Sequence, residues 1–199
     1  LRELARRGHT VLAPALPGFG ATPPLAADAT SLAAYASWLV EFLDASGVDE
    51  PVTLVGHSFG GAVAIKCAHD HPERVSRLVL VNSIGGATWS DEGRPRTMSE
   101  RPIGDWGVHL GAEMLSVRGL TRVLPVVAGD ALTHALRNPR ALWRVGRLAR
   151  QADLALELDG LRRRGMPVAI LWGREDRVIP WACAESLIAA LGDPEVITV

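Results

Sequence analysis

Val52-Thr53-Leu54-Val55-Gly56-His57-Ser58-Phe59-Gly60-Gly61-Ala62-Val63-Ala64 is the stretch that decides how this chain folds. Its first half is apolar and β-branched, as a buried strand is, and its second half is small and helix-compatible. Between the halves, a G-x-S-x-G core sets a serine at a sharp strand-to-helix turn. Such a turn strains the serine backbone and crowds the positions two before and two after it. Gly56 and Gly60 are therefore read as the small residues the bend requires. Gly61 is read as the residue that lets the helix lie close to the strand. A bare G-x-S-x-G is a weak signal, whereas one framed by a strand and a helix is specific. A glycine-rich turn with an incidental serine does not explain the symmetric flanking.

Outward from this turn, short apolar runs predict further strands at Thr10–Ala15, Val75–Val81, Val168–Trp172 and Val196–Val199, besides Val52–Gly56 itself. They show little polar alternation, which suits a parallel sheet covered on both faces. Helical stretches lie between them. Ser31–Ser46 sets Leu32, Tyr35, Ala36, Leu39, Phe42 and Leu43 on one stripe behind a Ser/Thr cap. A second helix runs from Gly60 to about His69, and a third begins at Pro180. Strands alternating with helices predict an α/β domain with right-handed crossovers.

Between Gly85 and Gly165 the strand rhythm disappears. Arg140–Arg163 reads as one long helix, with Leu142, Val145, Leu148, Ala152, Ala155, Leu156 and Leu158 opposite Arg144, Arg147 and Arg150. This is an ordinary amphipathic pattern with a solvated basic face; contact with a membrane surface or an anionic partner is the alternative. Residues 85–165 are read as a helical cap inserted into a core formed by 1–84 and 166–199.

The chain has 199 residues, 48% hydrophobic and 22% charged, with a formal net charge of −1. One domain with a sizeable core is expected. The balanced charge argues against a nucleic-acid partner, which needs a basic surface. No apolar run is long enough to span a bilayer. Cys67 and Cys183 form no disulfide framework, and no Cys/His cluster suggests a metal. No cofactor is implied, the partner is read as a small-molecule substrate, and a cytoplasmic location is expected. Leu1–Arg7 reads as the last turns of a helix stopped by Gly8, and Glu195–Val199 as a strand with no turn after it. The chain is thus expected to be a piece of a longer one.

Four motifs in order resemble the α/β-hydrolase superfamily across essentially the whole chain. Pro14-Ala15-Leu16-Pro17-Gly18-Phe19-Gly20 resembles the loop after that family's fourth strand, and Gly56-His57-Ser58-Phe59-Gly60 its nucleophile elbow. Pro72–Val75 leading into Leu78-Val79-Leu80-Val81-Asn82 resembles its sixth strand, and Leu171–Pro180 its acid loop after strand seven. The family usually has Asp where this chain has Ala15, which implies a looser pocket wall. The resemblance also implies a strand before Leu1 that would lie between Thr10–Ala15 and Val52–Gly56. Without it, the first strand would lack a neighbour and the isolated 199-residue polypeptide would be unstable.

Ser58 is then the expected nucleophile, needing a base to take its proton. The Phe59 N–H, at a helix start, is one expected oxyanion donor. Asp176 follows a buried strand, so its carboxylate projects from the sheet's carboxyl edge, where it would orient an imidazole; Glu175 is the solvent-facing rival. The family's order of serine, acid, histidine places the base beyond Val199, because no histidine follows Asp176. His9, His57, His69, His71, His109 and His134 are not in catalytic positions by that resemblance. The second oxyanion donor is expected before Leu1. With both absent, the 199-residue piece is expected to be nearly inert.

A serine nucleophile favours acyl chemistry on a small, hydrophobic ester through an acyl-enzyme. Trp89, Trp106 and Trp143, together with Phe59, are candidate substrate-lining residues; packing of the insertion's own core is the competing reading of the tryptophans. The alternatives are C–C bond hydrolysis or cofactor-free perhydrolase chemistry, and a non-catalytic binding protein of the same fold.

Overall fold

The computed structural model describes residues 1–86, 88–91, 94–97, 100, 139–192 and 194–199. Helix α1 (Arg2–Arg6) leads through an irregular segment to α2 (Leu32–Ala45), strand β1 (Val52–Ser58) and α3 (Phe59–Asp70). Strand β2 (Val75–Ser83) follows, then the short strands β3 (Thr88–Asp91) and β4 (Arg94–Thr97) and helices α4 (Pro139–Gln151) and α5 (Ala155–Arg163). The described chain closes with β5 (Val168–Trp172), α6 (Trp181–Leu191) and β6 (Glu195–Thr198).

β1, β2, β5 and β6 form one sheet in that order, with every pairing parallel. Four of the five predicted strands are these, each within two residues of its predicted ends. Leu78, Leu80, Ile170 and Trp172 are fully buried, whereas Val79, Val81 and Leu171, between or beside them in register, are half-buried. One face of the sheet is thus more completely covered than the other. The helices supply the cover through Ile65, Leu161 and Leu187, also fully buried. α2 forms as its stripe dictates: Tyr35, Ala36, Leu39 and Leu43 are buried, and the Ser31 hydroxyl accepts the Ala34 N–H at 3.1 Å, capping one orphan donor.

Four expectations are corrected. Thr10–Ala15 is not a strand: among the described residues no strand lies beside it, and an extended segment without a ladder partner has no hydrogen bonds to make it one. The predicted single helix over 140–163 is two, because the chain breaks at Ala152–Leu154. There Leu154 turns inward and donates its N–H to the Gly85 carbonyl at 3.2 Å. The helix phase restarts after the break, so Leu158 and Leu161 are buried and Leu156 is 85% exposed. The stretch 85–165 is also not purely helical, since β3 and β4 pair antiparallel from Thr88↔Thr97 to Asp91↔Arg94. Pro180 precedes the helix as its cap residue, and α6 starts at Trp181.

α5 is tied to α3 by charge as well as packing. Lys66, the chain's only lysine, reaches Glu157 at 3.0 Å and Asp70 at 3.2 Å, and His69 Nδ1 lies 2.8 Å from Asp70. Burial disfavours the Lys66 ammonium, but its hydrogen bonds to the two carboxylates outweigh that and raise its pKa. The Asp70 carboxyl is likewise held below the usual range, with burial overcome by hydrogen bonds from His69 and Lys66. Among the described residues, no helix is long and apolar enough to cross a membrane.

Candidate active site

A parallel sheet brings the carboxyl ends of its strands to one edge, and the candidate residues come from three successive strands there. Ser58 ends β1 and opens into α3 with φ 52° and ψ −122°, well outside the helical and extended regions. That is the strain a strand-to-helix bend imposes, on the order of 1–3 kcal/mol. A Cβ on Gly56 would lie 2.6 Å from both the Gly60 oxygen and the Gly61 Cα, so the position tolerates no side chain. A Cβ on Gly61 would fall on the Ser83 Oγ, which accounts for how closely α3 approaches β2. Gly60 corrects the symmetric reading: a Cβ there meets nothing within 4 Å. Crowding acts on the strand side of the bend, where the chain doubles back, and the helix side faces open space.

The bend is fixed from below. Ser58 pairs with Ser83 in the register, and the Ser58 carbonyl accepts the Ile84 N–H at 3.3 Å. Ser83 is fully buried, with its hydroxyl donating to the Ile84 carbonyl at 2.7 Å. Among the described residues, no hydrogen bond engages the Ser58 hydroxyl, which is half-buried. Phe59 opens α3, so its N–H has no carbonyl within the helix to bond. The Phe59 ring is buried edge-on against Tyr35 at 5.2 Å between centroids and lies 6.3 Å from Phe19.

The loop that carries Phe19 is braced although Ala15 carries no carboxylate. Thr22 donates its hydroxyl to the Ala15 carbonyl at 2.8 Å, and Tyr35 donates to the Pro17 carbonyl at 3.0 Å. Burial pushes the Tyr35 phenol above its ordinary pKa, partly offset by Arg144, so it remains a hydroxyl donor at neutral pH.

Asp176 sits in the turn after β5. Its N–H donates to the Gly173 carbonyl at 3.2 Å, and its Oδ1 accepts the Val178 and Ile179 N–H groups, both at 2.8 Å. Its Oδ2 accepts from the Asn82 amide nitrogen, and Asn82 Oδ1 accepts the Gly173 N–H at 3.2 Å. Glu175 is exposed and Asp176 half-buried, in keeping with the sequence reading of the pair. β1 and β5 flank β2 on either side, so Ser58 and Asp176 leave strands about 10 Å apart, two strand spacings. In the arrangement expected from the sequence, an imidazole bridges that gap.

No imidazole does so among the described residues. His57 is exposed on β1, and His9 is exposed before it. His69 and His71 lie at the far end of α3, about 18 Å of helix from Ser58. His109, His134 and Trp106 lie outside the described residues, and of Trp89 only the backbone, in β3, is described. Trp143 is 55% exposed, with the Arg147 guanidinium 5.8 Å over its ring. Cys67 is no rival nucleophile, because burial, then Asp70 and Glu73, push its thiol up to about 12. Sequence reasoning quoted Asn82 only as the end of a strand; the signal it carried is a polar residue closing the apolar run Leu78–Val81 on the edge that bears the site.

A family model described as the alpha/beta hydrolase fold matches residues 1–197. The chain is 34% identical over 185 residues to the dihydrolipoyllysine-residue acetyltransferase component of an acetoin cleaving system from Cupriavidus necator, covering 89% of this chain and 48% of that protein. It is 31% identical over 191 residues to a 2-hydroxy-6-oxo-2,4-heptadienoate hydrolase from Pseudomonas putida, covering 89% of this chain and 65% of the relative. Among solved structures, an alpha/beta hydrolase enzyme from a sediment metagenome of the Mar Chica lagoon, Morocco, superposes with a TM-score of 0.54 at 26% identity, over 92% of this chain and 64% of the other. The chain thus spans about half to two thirds of the length of these relatives.

Proposed function

The chain belongs to the alpha/beta hydrolase fold family, and on that premise we propose that it carries the nucleophile and the acid of a serine hydrolase. The observation that carries this reading is the backbone of Ser58, strained at φ 52° on the sheet's carboxyl edge, two strands from a carboxylate held by three donors. In this scheme Ser58 Oγ attacks a carbonyl carbon while an imidazole, supplied by sequence outside residues 1–199, takes its proton. The Phe59 N–H is one of two donors to the oxyanion, and Asp176 orients the imidazole and stabilises its charged form. The C–O bond to the alcohol breaks as the imidazolium returns the proton to it, and water then releases the acid from Ser58. Side chains and water suffice for this scheme.

The substrate is proposed to be a small, apolar ester, a reading supported by the aromatic pair of Phe19 and Phe59, the latter next in sequence to Ser58. Division of the chain into a core and an inserted cap, and a substrate-binding role for Trp89, Trp106 and Trp143, belong to the same proposal. A second reading, C–C bond hydrolysis of an oxo-dienoic acid, is favoured by the name of the Pseudomonas putida relative. Labelling of the full-length protein with a fluorophosphonate probe tests the nucleophile: Ser58 is labelled, and Ser58→Ala removes the label. Equal labelling of the two proteins overturns the assignment. Turnover of an aryl ester against an oxo-dienoic acid separates the two substrates.

A further inference from the structure

We propose that Asn82, at the carboxyl end of β2, is the positioning residue for Asp176, clamping the turn after β5 by donating to its carboxylate while accepting from Gly173. The inference rests on the serine-hydrolase reading for its kinetic consequence and on geometry alone for the clamp. Asp176 Oδ1 is already held by two backbone N–H groups of its own loop, which fixes one oxygen and leaves rotation of the carboxylate about that anchor. The Asn82 amide holds the second oxygen, Oδ2, from the neighbouring strand. Its carbonyl end takes the N–H at the start of the same turn, so one planar carboxamide spans Gly173 and Asp176.

Three demands meet at this position. The backbone is left-handed, with φ 40°, which asparagine and aspartate adopt more readily than other side chains. One group must donate to a carboxylate and one must accept an N–H. Asparagine satisfies all three; aspartate meets the first and third and fails the second unless protonated; alanine fails all three. Oδ2 keeps lone-pair capacity for a second donor, so the clamp and an imidazole can share it. Arg174, Glu175 and Arg177 are the charged residues in the same loop, with Arg174 drawn over the Trp181 ring.

The test is made on the full-length protein with Asn82→Ala and Asn82→Asp. Removing the clamp misplaces the carboxylate in the reacting complex more than in substrate binding, so Asn82→Ala lowers kcat on the order of 10–100-fold with KM changed by less than about twofold. Asn82→Asp sets two carboxylates together, and such a pair retains a proton. While that proton is present the pair mimics the amide donor. Activity then falls as pH rises and the proton leaves, giving a descending limb that wild type lacks. A merely structural role for Asn82 produces no such limb.

A third measurement reads placement without activity. The Asn82 side-chain amide resonances of wild type are displaced by the carboxylate to which the amide donates, and Asp176→Asn abolishes that displacement. Wild-type kcat in Asn82→Ala, or a wild-type pH profile in Asn82→Asp, overturns the proposal, as does an amide signal indifferent to Asp176. Failure of wild type to label at Ser58 or to turn over ester sinks the hydrolase reading instead, and the amide resonances then decide the clamp by themselves. If Asn82→Ala does not fold, the profile of Asn82→Asp and the wild-type resonances decide it.

Discussion

Gly56 and Gly60 stand symmetrically about Ser58 in the sequence, and the structure predicts opposite fates for them. An alanine at 56 places its Cβ 2.6 Å from Gly60 O and Gly61 Cα and 2.9 Å from Gly60 C, all backbone atoms that no rotamer change can move aside. The bend has to open, with an overpacking cost of about 1–3 kcal/mol. At about 2–4 °C per kcal/mol for a chain of this size, Gly56→Ala lowers Tm by roughly 2–12 °C. Gly60 lies in the first turn of α3 with open space where a Cβ would go. Alanine there gains helix propensity and restricts the unfolded chain, which stabilises by about 0.5–1 kcal/mol. Paired denaturant melts followed by tryptophan fluorescence, with fluorophosphonate labelling at each midpoint-normalised concentration, compare the two in the full-length protein. The expected result is a destabilised, poorly labelled Gly56→Ala beside a Gly60→Ala that is as stable as wild type or more so and labels normally. Equal losses in both would refute the assignment of crowding to the strand side alone.

Tyr35→Phe deletes the bond to the Pro17 carbonyl and leaves that acceptor unpaired beside the edge-on ring pair, costing about 1 kcal/mol with Phe59 packing retained; chemical denaturation reads the cost and near-ultraviolet circular dichroism the packing. Lys66→Met removes the ammonium that joins Glu157 to Asp70 and costs on the order of 1 kcal/mol at pH 7, measured by urea melts. Because the Asp70 carboxyl is held below the usual carboxylate value, its contribution is present above the unfolded pKa near 4 and is lost as pH falls through the lower folded value, so the difference between wild type and Lys66→Met shrinks at acid pH.

What was legible in the sequence follows from the range over which each signal acts. The four strands of the sheet were readable because each is built around a short apolar, β-branched stretch, and α2 because its stripe and the serine cap before it are local signals. Thr10–Ala15 has the same local character and yet is no strand, since strand identity is decided by a neighbour and not by composition. The helix break at 152–154 was invisible because a 3.6-residue pattern can be continued across it by eye; what breaks it is the burial of Leu154 and its bond to Gly85, nearly seventy positions away. β3 and β4 were hidden for a different reason. Pro95 argues against a strand interior, but in a two-stranded ladder each strand keeps an outer edge on which a missing donor costs nothing. Of the candidate site, the bend and the carboxylate were readable from residue type and order. The partner that holds the carboxylate was not, because it is joined only through the parallel register of β2 and β5.

Among the described residues, two that are not glycine have positive φ: Ser58 at 52° and Asn82 at 40°. They end adjacent parallel strands on the same edge, and the acid loop begins on the next strand over. Strain of this kind persists only where the surroundings leave the backbone no alternative. For Ser58 the constraint is the contact of Gly56 with the first turn of α3 and the bond from Ile84; for Asn82 it is the pair of bonds to Gly173 and Asp176. The residues just past Asn82, Ser83 and Ile84, are buried and hydrogen-bonded, so β2 is anchored immediately beyond its strained residue. One central strand therefore braces the bend on one side and the carboxylate on the other. A change in β2 that lets its carboxyl end relax would disturb both groups together, whereas a change in β6, which among the described strands pairs with β5 alone and lies two strands beyond β2, would reach only the acid loop.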